Sequence, residues 1–186
     1  MPIVIALIRG INVGGHKKIK MADLRELFTS LGLRPVRTVL QSGNAVFATD
    51  ETDLARLQKR LEAAIHERFG FEAGVLLRGA EDFKAALARH PFTAAQLERG
   101  NHAMIAFLSA PPAPVAVEAL RENNPGREAI HAAEDALYIF YTDGAARSKL
   151  DNKRIERALN VVSTARNWNT CNRLLKLLEE LEAQGN

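Results

Sequence analysis

Cysteine is nearly absent. Cys171 is the single one in 186 residues, so the chain closes no intramolecular disulfide and builds no cysteine-based zinc site. That usage predicts an intracellular protein. Long apolar runs are also missing: nothing approaches the ~20 residues of a membrane-spanning helix. The N-terminal run, residues 3–8, is short and has no basic residue before it, so it reads neither as a signal peptide nor as a span. The expectation is a cytoplasmic location with no membrane partner. His16, His66, His90, His102 and His131 are scattered without an HExxH pattern, and no DxDxDG calcium loop occurs; no metal and no cofactor is expected. Aromatic residues make up only 6%. An RNA-recognition module stacks bases on exposed aromatics of its central strands, and the first predicted strand has none, although Tyr138 and Phe140 share one face of a late strand.

Apolar residues make up 47% and charged residues 25% of the chain, enough for one domain or two small ones, and too apolar for disorder. The net charge is a mild +3, but its distribution is uneven. Residues 9–37 hold seven Lys/Arg against two Asp/Glu, and residues 147–176 hold eight against two, while residues 38–146 hold ten against fifteen. If the two basic stretches meet, they form a surface that attracts phosphate or carboxylate groups; otherwise they are two unrelated solvated faces.

Residues 3–8 are apolar and rich in β-branched side chains, predicting a buried strand followed by a loop at Arg9-Gly10. Met21, Leu24, Leu27, Phe28 and Leu31 recur at helical spacing before Gly32. Residues 36–40 and 45–48 read as two short strands joined by Gln41-Ser42-Gly43-Asn44, whose residues favour a hairpin turn. Leu54, Leu57, Leu61, Ile65 and Phe69 mark an amphipathic helix closed by Gly70, and residues 71–77 predict another strand. The order βαββαβ is ferredoxin-like, two helices on one face of a four-stranded antiparallel sheet. A linking helix over residues 80–89 stops at Pro91. The pattern then restarts with strands at 103–108, 129–132 and 137–141, a helix at 114–121, and a helix through Ile155 and Leu159 opened by a Ser148/Asp151 capping pattern. A final helix carries Leu174, Leu175, Leu177, Leu178 and Leu181. The expected fold class is therefore α+β: two ferredoxin-like lobes, βαββαβ then βαββα, with mainly antiparallel sheets. The N-terminal lobe is placed at 1–78, the linking region at 79–100 and the C-terminal lobe with the final helices at 101–186, with a single larger mixed sheet as the competing architecture.

Three segments draw attention for chemistry. Arg9 to Lys18 is a loop bearing Gly10, Gly14 and Gly15 between a strand and a helix, a context that suits phosphate because glycines let backbone N–H groups turn toward an anion. It is neither a P-loop nor a GxGxxG turn, and a long connection needing positive φ is the alternative. Gln41 to Asn44 places a serine beside glycine without the flanking pattern of a nucleophile elbow. Thr164 to Thr170 sits before the last helix; Asn169 or Thr170 can cap that helix, and Arg166 and Trp168 can meet an anionic or planar ligand or pack internally.

Arg9-Gly10-Ile11-Asn12-Val13-Gly14-Gly15 with Met21, Gln41-Ser42-Gly43-Asn44, and Thr164 with Arg166-Asn167-Trp168-Asn169-Thr170 together resemble the bacterial family called Domain of Unknown Function 1697. The resemblance spans essentially the whole chain; Ile8 stands where leucine is usual and Cys171 where an aliphatic residue is commoner. It implies a two-lobed α+β fold and carries no catalytic role. The functional expectation is a phosphate-bearing partner, a small molecule or nucleic acid, in a basic cleft between lobes. Its binding residues are Arg9, Asn12, Gly14, Gly15, Lys17, Lys18, Ser42, Asn44, Arg166, Asn167 and Trp168. The alternatives are an enzyme acting on a small phosphorylated or carboxylated metabolite, with Ser42 or His16 moving a proton, and a structural module in which these residues are turns and caps.

Overall fold

The computed structural model describes residues 1–39 and 43–185. The chain divides into two compact units, Met1–Ala85 with Arg173–Asn186, and Ala86–Asn172.

In the first unit, β1 (Ile3–Ile8), α1 (Met21–Ser30), β2 (Val36–Val39), β3 (Asn44–Ala48), α2 (Leu54–Phe69) and β4 (Val75–Gly79) follow in order. The sheet order is β2-β3-β1-β4, antiparallel throughout. Successive strand side chains point to opposite faces, and Val4, Ala6 and Ile8 join Leu24 and Phe28 of α1 and Leu57, Leu61 and Ile65 of α2 in one core. Phe28 meets Phe47 edge-on at 5.7 Å. Ile5 and Leu7, on the other face, are buried as well. β1 is therefore continuously apolar because both faces of its sheet are covered. α2 begins where the Asp53 side chain accepts from the Arg56 N–H, and it ends on Gly70 at φ 77°, the left-handed position that glycine adopts without a Cβ clash.

α3 (Ala80–Ala88) and α4 (Ala94–Glu98) lead to β5 (Ala103–Leu108), α5 (Pro114–Glu122), β6 (Ala129–Ala133), β7 (Ala136–Phe140), α6 (Asn152–Leu159), β8 (Ser163–Asn167) and α7 (Trp168–Gly185). The second sheet runs β6-β7-β5-β8, the same order as the first with each strand replaced by its counterpart. Met104, Ala106 and Leu108 face Val117, Leu120, Ile155 and Leu159 from α5 and α6. The fold is α+β with two antiparallel sheets, as expected; among the described residues each sheet has four strands.

Several details depart from the expectation. The second half has one strand more than βαββα: β8, Ser-Thr-Ala-Arg-Asn, has no apolar run to announce it, and it exists because it pairs with β5 along its length. β4 starts at Val75 instead of residue 71. The cap of α6 is Asp151, which accepts from the Arg154 N–H; Ser148 instead donates to Glu128 and accepts from the Leu150 N–H. The last helix, expected whole in the second lobe, is divided between the two units after Asn172. Leu174, Leu178 and Leu181, buried at helical spacing, lie in the part that groups with the first unit. The expected turn residues 40–42 fall outside the described residues.

Candidate functional site

The connection from β1 to α1, residues 9–20, is twisted into the left-handed region at Gly10, Asn12, Gly14, Gly15 and Lys17, with φ of 65°, 56°, 60°, 81° and 48°. Its base is closed by Asn12, whose side-chain amide donates to the Ile19 carbonyl and accepts from the Ile19 N–H, each at 2.9 Å. Above that clasp the Asn12 N–H donates to the Lys17 carbonyl and the His16 N–H to the Val13 carbonyl. Gly14 and Gly15 therefore form the tip of a miniature hairpin. Residues 13–18 are exposed, Val13 at 66%. Beneath the loop the buried Ile11 and Ile19 join the unit's core.

Two neighbours invisible to sequence reasoning steady this loop. Lys17 Nζ donates to the Glu72 carbonyl at 2.6 Å and lies 5.9 Å from the centre of the Phe71 ring, a cation over an aromatic face. Arg9 lies against Gly74, where an added Cβ would come within 3.4 Å of its Cδ and Nη1, and its N–H donates to the Gly74 carbonyl. The segment between α2 and β4 thus flanks the loop. The glycine at 74 is the one sequence sign of it. α1 begins after Lys20, which supplies no side-chain hydrogen bond to the free N–H groups of the first turn.

Of the second motif, Gly43 at φ 79° sits where a Cβ would fall 2.9 Å from Ile11 Cδ1 and Cγ1, and its carbonyl accepts from the Ile8 N–H. Asn44 is fully buried, and its Nδ2 donates to the Val39 carbonyl. The motif thus abuts the base of the glycine loop. Ser42, named as a binding residue from the sequence, lies outside the described residues.

The third motif lies in the β8–α7 segment of the second unit. Arg166, 8% exposed, pairs with Ile105 in the β-ladder; its Nη1 donates to Thr164 Oγ1 at 2.8 Å and to the Ala165 carbonyl at 2.9 Å. Burial pulls its guanidinium down to about 10. Asn167 caps α7, its Oδ1 accepting from the Thr170 N–H at 2.8 Å. The cap is therefore neither Asn169 nor Thr170, the two residues that the sequence points to. Asn169 instead donates to Asn101 Oδ1 and lies against Gly100, where its side chain leaves no room for a Cβ. Trp168 packs against His90 at 4.6 Å and Phe92 at 6.5 Å.

The family described as protein of unknown function (DUF1697) matches residues 1–138. The chain belongs to this family. The DUF1697 match contains the glycine loop and the Gly43 turn, and stops before the β8–α7 motif. A solved structure, that of the conserved bacterial protein SP0830 from Streptococcus pneumoniae, is similar to this chain with a TM-score of 0.71 at 25% identity, covering 95% of this chain and 98% of that one. No curated protein matches the sequence. Among the described residues no helix is long and apolar enough to cross a membrane, and no group of three or more His, Cys, Asp or Glu could hold a metal ion.

Proposed function

We propose that this DUF1697 protein binds a phosphate-bearing ligand, a small molecule or a nucleic acid, at the loop between β1 and α1. The observation that carries the reading is electrostatic. Lys18 and the exposed Lys20 immediately precede α1, whose first turn carries a single carboxylate, Asp23, and the helix dipole there already presents partial positive charge, so cations are unfavourable. A bound anion would relieve that repulsion and satisfy first-turn N–H groups that no side chain caps.

The loop also contrasts with its counterpart. The topologically equivalent connection in the second unit, residues 109–113, is far shorter and contains no lysine, arginine or glycine. Joining β1 to α1 therefore does not in itself require the longer cationic path. In this reading Lys18 and Lys20 supply charge, and Gly14 and Gly15 turn backbone donors outward. Asn12 holds the loop's shape, and Arg9 and Lys17 border the ligand from the Gly74 and Phe71 side. Asn44 supports the neighbouring turn. Arg166, Asn167 and Trp168 are left to the packing and capping of the second unit.

The test is titration with pyrophosphate, a mononucleotide and short single-stranded oligonucleotides, following backbone amide shifts of residues 9–20. The wild-type protein should bind at least one of them, and Lys18→Ala/Lys20→Ala should weaken that binding by tenfold or more. If several phosphates are contacted, oligonucleotide affinity should fall by roughly 10³ or more between 50 and 200 mM salt. Binding unchanged in the double variant would overturn the assignment.

A further inference from the structure

We propose that the second unit carries an anion site of its own, at the turn after β7, where the Asp143 carboxylate stands in the place that a phosphate monoester would take. The site lies wholly within residues 86–172, whereas the glycine loop belongs to the first unit, so the two can be tested apart.

Three arginines act on Asp143 from three separate segments. Arg127, in the connection between α5 and β6, donates through Nη2 to both carboxylate oxygens, at 2.7 and 2.9 Å. Arg99, between α4 and β5, and Arg147, at the end of the short 3-10 helix Ala145–Arg147, act on it through space. Together they hold the Asp143 carboxyl below its ordinary range, the hydrogen bond from Arg127 foremost. The position thus favours negative charge, and Asp143 is bonded to only one of the three guanidiniums. Glu128, a second carboxylate that interacts with Asp143, is already engaged by Ser148 and Asn124.

The other two cations are short of acceptors. Arg99 lies over the Phe140 ring, 5.6 Å from its centre, with Nη2 donating to the Thr142 carbonyl at 3.0 Å. The same Nη2 stands 3.0 Å from His102 Nδ1, which at 2.7 Å from the Tyr141 carbonyl is itself a donor; that contact gives Arg99 no acceptor. Arg147 is exposed, and its guanidinium has no hydrogen-bond acceptor among the described residues.

Asp143 is able to give way. The side chains of its pair with Arg127 are 57% and 73% exposed, and an exposed ion pair contributes little to stability. The turn itself is fixed by other bonds: the Gly144 N–H donates to the Tyr141 carbonyl, and Thr142 Oγ1 donates to the Arg127 carbonyl. Rotation of the Asp143 side chain therefore clears the place without unfolding the turn. A phosphate dianion brings a second negative charge and a further acceptor oxygen, and guanidinium forks match its geometry.

The probes are glycerol phosphate, inorganic phosphate and acetate, titrated into the full chain at constant ionic strength and about pH 8, where a phosphate monoester is a dianion. The readout is the guanidinium resonances of Arg99, Arg127 and Arg147 and the amides of residues 141–147. Glycerol phosphate should shift these signals in the wild-type chain. Asp143→Asn, with folding verified by thermal unfolding, should bind it tenfold or more tightly, because the internal carboxylate no longer competes. Asp143→Asn/Arg127→Gln should lose that gain, and acetate should bind Asp143→Asn at least tenfold more weakly than glycerol phosphate does. Adding Lys18→Ala/Lys20→Ala to Asp143→Asn should leave these shifts unchanged, which separates this site from the glycine loop. Silence of these signals in the wild-type chain, equal affinity in Asp143→Asn, a gain that survives Arg127→Gln, acetate binding as tightly, or a tenfold preference for inorganic phosphate over the monoester would each overturn the proposal.

Discussion

Single residues of the motifs turn out to be governed by space and solvation more than by their chemical labels. Gly43 is required twice over, by its left-handed φ of 79° and by Ile11 and Ile8, whose side chains would stand 2.9 and 3.0 Å from any Cβ. Gly43→Ala is expected to lower unfolding free energy by about 2 kcal/mol or more, combining a strained backbone with overpacking; urea denaturation would read it. Arg166 illustrates burial. A guanidinium removed from water is tolerable only when its donors find acceptors, and Arg166 finds Thr164 and the carbonyl of the residue before it. Arg78 does the same in the first unit, opposite Ile5 in β1 as Arg166 is opposite Ile105 in β5, its Nη1 donating to the Leu77 carbonyl at 2.8 Å.

Among the elements, helix ends show how the nearest plausible polar residue can be the wrong one. Ser148 and Asp151 both precede α6 in extended backbone, and the start of the helix at Asn152 decides between them. Asp151 is the residue next to it, and its carboxylate accepts from the Arg154 N–H at 2.8 Å. Ser148 is left to brace Glu128. Burial alone would raise the Glu128 carboxyl, but hydrogen bonds from Ser148 and Asn124 outweigh it and hold the carboxyl below its ordinary range. Asp151→Ala should therefore cost about 1 kcal/mol and speed hydrogen exchange at the Arg154 amide, whereas Ser148→Ala should leave that amide protected. The loop of residues 9–20 is shaped in the same way by one side chain, Asn12, which substitutes for two backbone partners at Ile19.

For the molecule as a whole, buried ionisable groups set how stability responds to alkali. Burial pushes the Cys171 thiol and the Tyr138 hydroxyl up, each to about 12, from ordinary values of 9.0 and 10.0. An unfolded chain would release these protons at the ordinary values while the folded chain keeps them. The unfolded state then binds fewer protons, and stability falls as pH rises from about 9 toward 12. Arg166 acts with the opposite sign, since its lowered value leaves the unfolded state with more bound proton, but only above about pH 10. Cys171 should account for about 1 kcal/mol lost by pH 10. Urea midpoints at pH 8, 9 and 10 would check this, and in Cys171→Ala the decline over that range should largely disappear.

The sequence by itself determined most of the elements and their order. The apolar run of β1, the helical spacing of α2 between Asp53 and Gly70, and the turn residues around Gly43 are local patterns, and local patterns survive without knowledge of what packs against them. It also located the cationic glycine loop and, through three separated motifs, the family. Tertiary structure alone decided the rest. β8 is a strand because β5 pairs with it, since Ser-Thr-Ala-Arg-Asn has little strand preference of its own. Asn12, Asn44 and Asn167 look alike in sequence as polar contacts, yet each is turned onto backbone groups whose nearness depends on the fold. Gly74 and Phe71 join the loop's surroundings because antiparallel pairing brings the start of β4 beside the end of β1. Hydrogen-bond partners and burial are properties of neighbours in space, which a sequence read by its local periodicities does not contain.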